Sequence, residues 1–106
     1  MSRFPEWTIT AAELAPLLKN QEVKLLDVRE PEEFEESHIV PCQLIPLGEV
    51  MGRVESELNK EDAIVIYCAH GVRSMYALRA MQTLGFKNLK SLEGGIVAWD
   101  EYQSSL

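Results

Sequence analysis

The stretch Ile64–Gly85, IVIYCAHGVRSMYALRAMQTLG, constrains the fold of this chain more than any other, because its apolar pattern changes period midway. Ile64, Val65, Ile66 and Tyr67 form an unbroken apolar run, the pattern of a strand covered on both faces, and the run ends at Cys68. From Ser74 onward Met75, Leu78, Met81 and Leu84 recur at helical spacing, and Gly85 stands where a helix can close in the left-handed conformation. Only Ala69, His70, Gly71, Val72 and Arg73 separate strand from helix. So short a loop lets successive backbone N–H groups curl toward the Cys68 sulfur, beside the positive end of the helix dipole. A cysteine at a helix N-terminus near a cation has a depressed pKa and is a nucleophile at neutral pH. Cys68 is therefore expected to be reactive and Arg73 to bind an anion beside it. The plainer alternatives are a buried inert thiol and a salt bridge near the helix.

A chain of 106 residues suits one domain, 1–106, large enough to bury a core. Seventeen acidic residues against ten basic give a formal net charge of -7, which repels phosphate backbones and anionic lipid, so neither nucleic acid nor membrane is an expected partner. MSRFPEWTIT lacks an apolar run of signal-peptide length, and no segment approaches the roughly 20 apolar residues of a membrane span. The expected location is the cytoplasm. The two cysteines, Cys42 and Cys68, belong to no metal-ligand pattern, so no metal is expected, and in a reducing compartment each is read as a free thiol.

In chain order, Trp7–Ile9 reads as extended, and Thr10 with Glu13 forms a capping box that starts a helix over Ala11–Lys19, which Pro16 should kink or shorten. Val23–Val28 predicts an apolar strand ending in the polar group Asp27, Arg29 and Glu30. Pro31 opens a short acidic helix with Phe34 pointing inward. A brief strand follows at Gln43–Ile45, and a helix from Leu47 to Leu58 places Val50, Val54 and Leu58 on one face despite Gly52. Asn88–Leu92 predicts a last strand, and Gly94 and Gly95 open a terminal helix carrying Ile96, Val97, Trp99 and Tyr102. Strands alternating with helices imply a parallel sheet with helices on both faces and ligands at the strand carboxyl ends.

LLDVREPEEFEESHI, then YCAHGVRS, then LEGGIVAW, in that order, resemble the single-domain rhodanese family of sulfurtransferases over most of the chain. The resemblance implies an α/β, three-layer rhodanese-like fold, its central, mainly parallel sheet of about five strands flanked by helices on both faces. It implies that Cys68 takes a sulfane sulfur from a donor such as thiosulfate or a persulfide. The sulfur then passes to a thiol or cyanide acceptor by double displacement, with a sulfur-relay protein as a further candidate partner. No cofactor is implied beyond the transient cysteine persulfide. Ala69, His70, Gly71, Val72, Arg73 and Ser74 would bind the substrate, the loop N–H groups and Arg73 stabilising departing sulfite and the persulfide anion. Asp27 and Arg29, and with them Glu36 and His38, match polar positions of the first signature that tie the strand end to the site. For Glu36 and His38, ordinary strand-end salt bridges serve equally well.

Four residues separate Cys68 from Arg73, whereas phosphatases of related fold carry C-x5-R and related arsenate reductases also use a longer loop; the tighter ring suits a sulfur atom. The competing class is a catalytically silent rhodanese-like binding or regulatory module, but such modules commonly lose the cysteine. His70 either tunes the thiolate or is an idle exposed histidine. Gly71 supplies positive φ or close approach, Ser74 caps its helix in preference to lending a hydroxyl, and Trp99 packs in the core. Where the family usually has Pro-Gly-Ala-x-Asn-Ile-Pro, this chain reads Val40, Pro41, Cys42, Gln43, Leu44, Ile45, Pro46. Cys42 is read as a small buried hydrophobe rather than a resolving thiol. One firm cation in the loop of an acidic protein also puts thiosulfate in question as the donor.

Overall fold

A computed structural model describes residues 6–106, so the first five residues of the expected 1–106 domain lie outside the described residues. The elements are β1 (Thr8–Ile9), α1 (Ala11–Lys19), β2 (Lys24–Asp27), α2 (Pro31–Glu36), β3 (Gln43–Leu44), α3 (Val50–Glu57), β4 (Ile64–Tyr67), α4 (Val72–Thr83), β5 (Leu89–Leu92) and α5 (Gly95–Ser104). The five strands form one sheet in the order β1-β5-β4-β2-β3, every pair parallel. This is the three-layer α/β arrangement that the alternation of strand and helix implies.

The unbroken apolar run of β4 occupies the middle of the sheet, and all four of its residues are buried. Its side chains alternate between the faces, as strand geometry requires. Ile64, Ile66 and Cys68 join one core cluster with Val50, Val54, Leu58, Ala77, Leu78 and Met81 of the α3 and α4 side. Val65 and Tyr67 join the other with Leu14, Leu25, Ile39, Leu92 and Ile96, against which Leu18 and Trp99 pack on the α1 and α5 side. Both edge strands have only two residues, which leaves little ladder open to a stray partner. The chain leaves β2 toward β3 but leaves β4 toward β5, so the order reverses between the carboxyl ends of β2 and β4. Open parallel sheets bind ligands at such a crevice.

Several expectations shift in detail. The Thr10–Glu13 capping box forms, and α1 runs through Pro16 to Lys19 without being cut short. The predicted strands shorten to Lys24–Asp27, Gln43–Leu44 and Leu89–Leu92, where the partner strands end. The helix expected from Leu47 opens as a 3-10 turn at Leu47–Glu49 and becomes α-helical only at Val50, after the bend at Pro46. Phe34 is half-buried and stacks on His38, ring centroids 3.7 Å apart, while Ile39 takes the inward position. The helix expected from Ser74 starts two residues earlier, with Gly71 as its left-handed N-cap (φ 104°). That change rotates the inward face to Ser74, Ala77, Leu78 and Met81, and Met75 lies at its margin, half-buried.

Candidate active site

Cys68 follows the last residue of β4, and its side chain is buried under the first turn of α4. The first N–H groups of a helix have no acceptor within it, and an N-cap side chain usually serves one of them. Gly71 has no side chain to do so. The Cys68 sulfur takes that place, accepting hydrogen bonds from the backbone N–H of Ser74 at 3.3 Å and of Gly71 at 3.1 Å. The loop is thus closed on its own sulfur by two backbone donors, the groups an anionic sulfur would use.

Ser74 does not cap the helix as expected, because it lies at the third helical position and points inward. Its hydroxyl is 3.5 Å from the Cys68 sulfur and 2.7 Å from the Ser91 hydroxyl on β5, both serines being buried. Ser91 is a polar site neighbour that sequence reasoning missed, since only the pairing of β4 with β5 brings it there.

The two glycines before α5 matter here as well. Gly95 has φ 59°, and a Cβ on it would run into the carbonyl groups of Cys68 and Ala69. The N–H groups of Ile96 and Val97 reach those same carbonyls, at 2.9 Å and 3.3 Å. The start of α5 therefore backs the loop, a role that the reading of this segment as core packing by Trp99 left out. Trp99 itself is half-buried against the α1 and α5 cluster.

Arg73 sits in the first turn of α4, not ahead of the helix. Its guanidinium makes a fork-to-fork ion pair with Glu33 of α2, at 2.7 Å and 2.9 Å. Glu33 also accepts the Glu30 N–H at 3.0 Å, closing a capping box on α2. The Arg73 hydrogen bonds chiefly hold the Glu33 carboxyl down at about 2. Arg73 is raised in turn, first by its hydrogen bonds to Glu33, with charge on Cys68 acting in the same direction. His70 and Val72 are exposed at the mouth of the loop, and Ala69 is half-buried.

Asp27 and Arg29 form a buried ion pair at the end of β2, with Nε 3.1 Å from both carboxylate oxygens and a terminal nitrogen 2.8 Å from Oδ2. The same guanidinium donates to the Ser37 carbonyl at 2.7 Å and lies over the Tyr67 ring, 5.4 Å from its centroid. The Arg29 contacts to Ser37 and Tyr67 brace the β2 end against the residue preceding Cys68. Glu36 is exposed, and among the described residues His38 bonds locally, Nδ1 to the Phe34 carbonyl at 2.8 Å. Cys42 is half-buried, not fully buried, with its sulfur 3.7 Å from the Tyr67 hydroxyl. Burial pushes its thiol up, and both cysteines are free.

This arrangement can hold a nucleophilic sulfur between two backbone N–H donors, with Arg73 in the first turn of the same helix. Comparison with known proteins shows the family of the chain. The family model described as Rhodanese-like domain matches residues 10–102. The putative sulfurtransferase YtwF of Bacillus subtilis is 35% identical over 91 residues, 86% of either chain. The probable adenylyltransferase/sulfurtransferase MoeZ of Mycobacterium tuberculosis is 42% identical over 94 residues, 87% of this chain but only 24% of that protein. The crystal structure of a rhodanese-related protein from Thermoplasma volcanium superposes with a TM-score of 0.82 at 34% identity, covering 91% of this chain and 92% of that one.

Proposed function

The chain belongs to the rhodanese-like domain family, and from that premise we propose that it is a sulfurtransferase that carries sulfane sulfur as a persulfide on Cys68. The observation that carries this reading is the Cys68 sulfur fixed between the N–H groups of Gly71 and Ser74. The names of YtwF and MoeZ as sulfurtransferases support it.

In the first displacement the Cys68 thiolate attacks the outer sulfur of the donor. A new S–S bond forms, the donor S–S bond breaks, and its electron pair leaves on sulfite from thiosulfate or on a thiolate from a hydropersulfide. In the second, an acceptor thiolate or cyanide attacks the outer sulfur of the persulfide, and the electron pair returns to the Cys68 sulfur. The N–H groups of Val72 and Arg73, the donors of the first turn of α4 that the Cys68 sulfur does not use, would serve the outer sulfur. His70 and Val72 border its route to solvent, and Ser74 with Ser91 supports the inner sulfur from below. The sulfur is cargo, so the reaction calls for no resident cofactor. Thiosulfate or a hydropersulfide serves as donor, a thiol, cyanide or a relay protein as acceptor, and the cytoplasm as the setting.

Intact mass spectrometry tests the reading. Incubation with thiosulfate or 2-hydroxyethyl hydropersulfide should add about one sulfur atom to the wild type and to Cys42→Ser, and none to Cys68→Ser. A wild type unmodified by every donor, or modification retained in Cys68→Ser, would overturn it.

A further inference from the structure

Glu33 has no part in the sulfur chemistry itself, yet it holds Arg73, which follows Cys68 by five residues. The side chains of Arg73 and Glu33 are about one-third exposed, 35% and 32%, so the pair lies open at the rim of the loop. Both guanidinium contacts are taken by one carboxylate. The helix that carries Glu33 adds Glu32, Glu35 and Glu36, with Glu30 as its N-cap and no basic residue in its last turn. An anion approaching Arg73 therefore meets an occupied fork and an acidic helix.

We infer that Glu33 is a specificity-determining residue: by occupying the Arg73 guanidinium it turns the Cys68 loop toward sulfur donors of low negative charge, hydropersulfides in preference to thiosulfate. This rests on the sulfur-transfer reading above. A thiosulfate dianion gains from Arg73 only by displacing Glu33, and the displaced carboxylate then remains beside it. A hydropersulfide carries at most one negative charge, and attack of the Cys68 thiolate on its protonated S–SH form gives Cys68–S–SH and a free thiolate with no call on the guanidinium. Discrimination then lies in the Arg73–Glu33 ion pair, and the backbone N–H groups of the loop serve both donors alike.

The test is the variant Glu33→Gln, which removes the charge but keeps an oxygen for the Glu30 N–H, since glutamine also completes a capping box. Its kcat/KM for thiosulfate should rise by about tenfold, the scale of one like-charge contact at a half-exposed site, while kcat/KM for 2-hydroxyethyl hydropersulfide stays within about twofold. In the double variant Glu33→Gln/Arg73→Gln the thiosulfate gain should vanish, because the freed guanidinium is its source. A thiosulfate rate unchanged in Glu33→Gln, an equal change for both donors, or a gain that survives loss of Arg73 would overturn the role of Glu33. Failure of both donors to load wild-type Cys68 would overturn the sulfur-transfer reading itself.

Discussion

Asp27 and Arg29 are 0% and 4% exposed, so neither charge has water to fall back on if the other is removed. A buried pair contributes little net stability compared with an apolar replacement of both, but deleting one partner leaves an uncompensated charge. Asp27→Ala should therefore cost about 3–5 kcal/mol in urea unfolding. A loss below about 1 kcal/mol, the scale of an exposed pair, would show that Arg29 finds water and that the brace behind Tyr67 is dispensable. The placing of these two residues was legible in the sequence, because an apolar strand carries Asp27 inward and Arg29 follows two positions later. The partner of Arg73 was not. Glu33 is 40 residues away, one of five glutamates between residues 30 and 36, and nothing in local spacing distinguishes the one that meets the loop.

Two glycines separate backbone demand from tolerance at the scale of the element. Gly95, at the start of α5, holds a left-handed conformation with its face against the Cys68 and Ala69 carbonyls. Gly95→Ala adds a strain of about 1–2 kcal/mol for the left-handed residue and a backbone collision besides. It should lower stability by more than about 2 kcal/mol and slow persulfide formation on Cys68. Gly52 lies inside α3 with open space where its Cβ would be. Gly52→Ala should raise stability by about 0.5–1 kcal/mol, through helix propensity alone, and leave sulfur loading unchanged. Denaturant midpoints of the two variants check this, and a Gly95→Ala protein as stable as the wild type would remove α5 from the support of the loop. The glycine pair was readable as the opening of a helix, from LEGGIVAW itself. That the helix opens beneath Cys68 follows only once β5 lies beside β4. The start of α4 shows the same limit: apolar periodicity pointed to Ser74, whereas Gly71 starts the helix two residues earlier and lets the sulfur serve as its cap.

For the whole molecule, the order of strands decides where chemistry can occur. The central strand delivers Cys68 to the crevice where the connections diverge, and the neighbouring β2 delivers Asp27 and Arg29 to the same edge. Parallel strands and helices on both faces were legible from alternating period, because each element repeats its pattern within a few residues. The strand order was not, since it is set by pairing between segments far apart in the chain. A net charge of -7, with an acidic helix beside the loop, gives the molecule a field that disfavours dianions at that edge. The most direct measurement follows one sulfur atom through the protein. A hydropersulfide labelled in its outer sulfur is mixed with the chain, the excess is removed, and the label is counted before and after addition of an unlabelled thiol. About one label per chain on Cys68, discharged to the thiol with the protein mass restored, is the expected result. Label on Cys42, label that the thiol cannot remove, or no label at all would contradict a persulfide carried on Cys68.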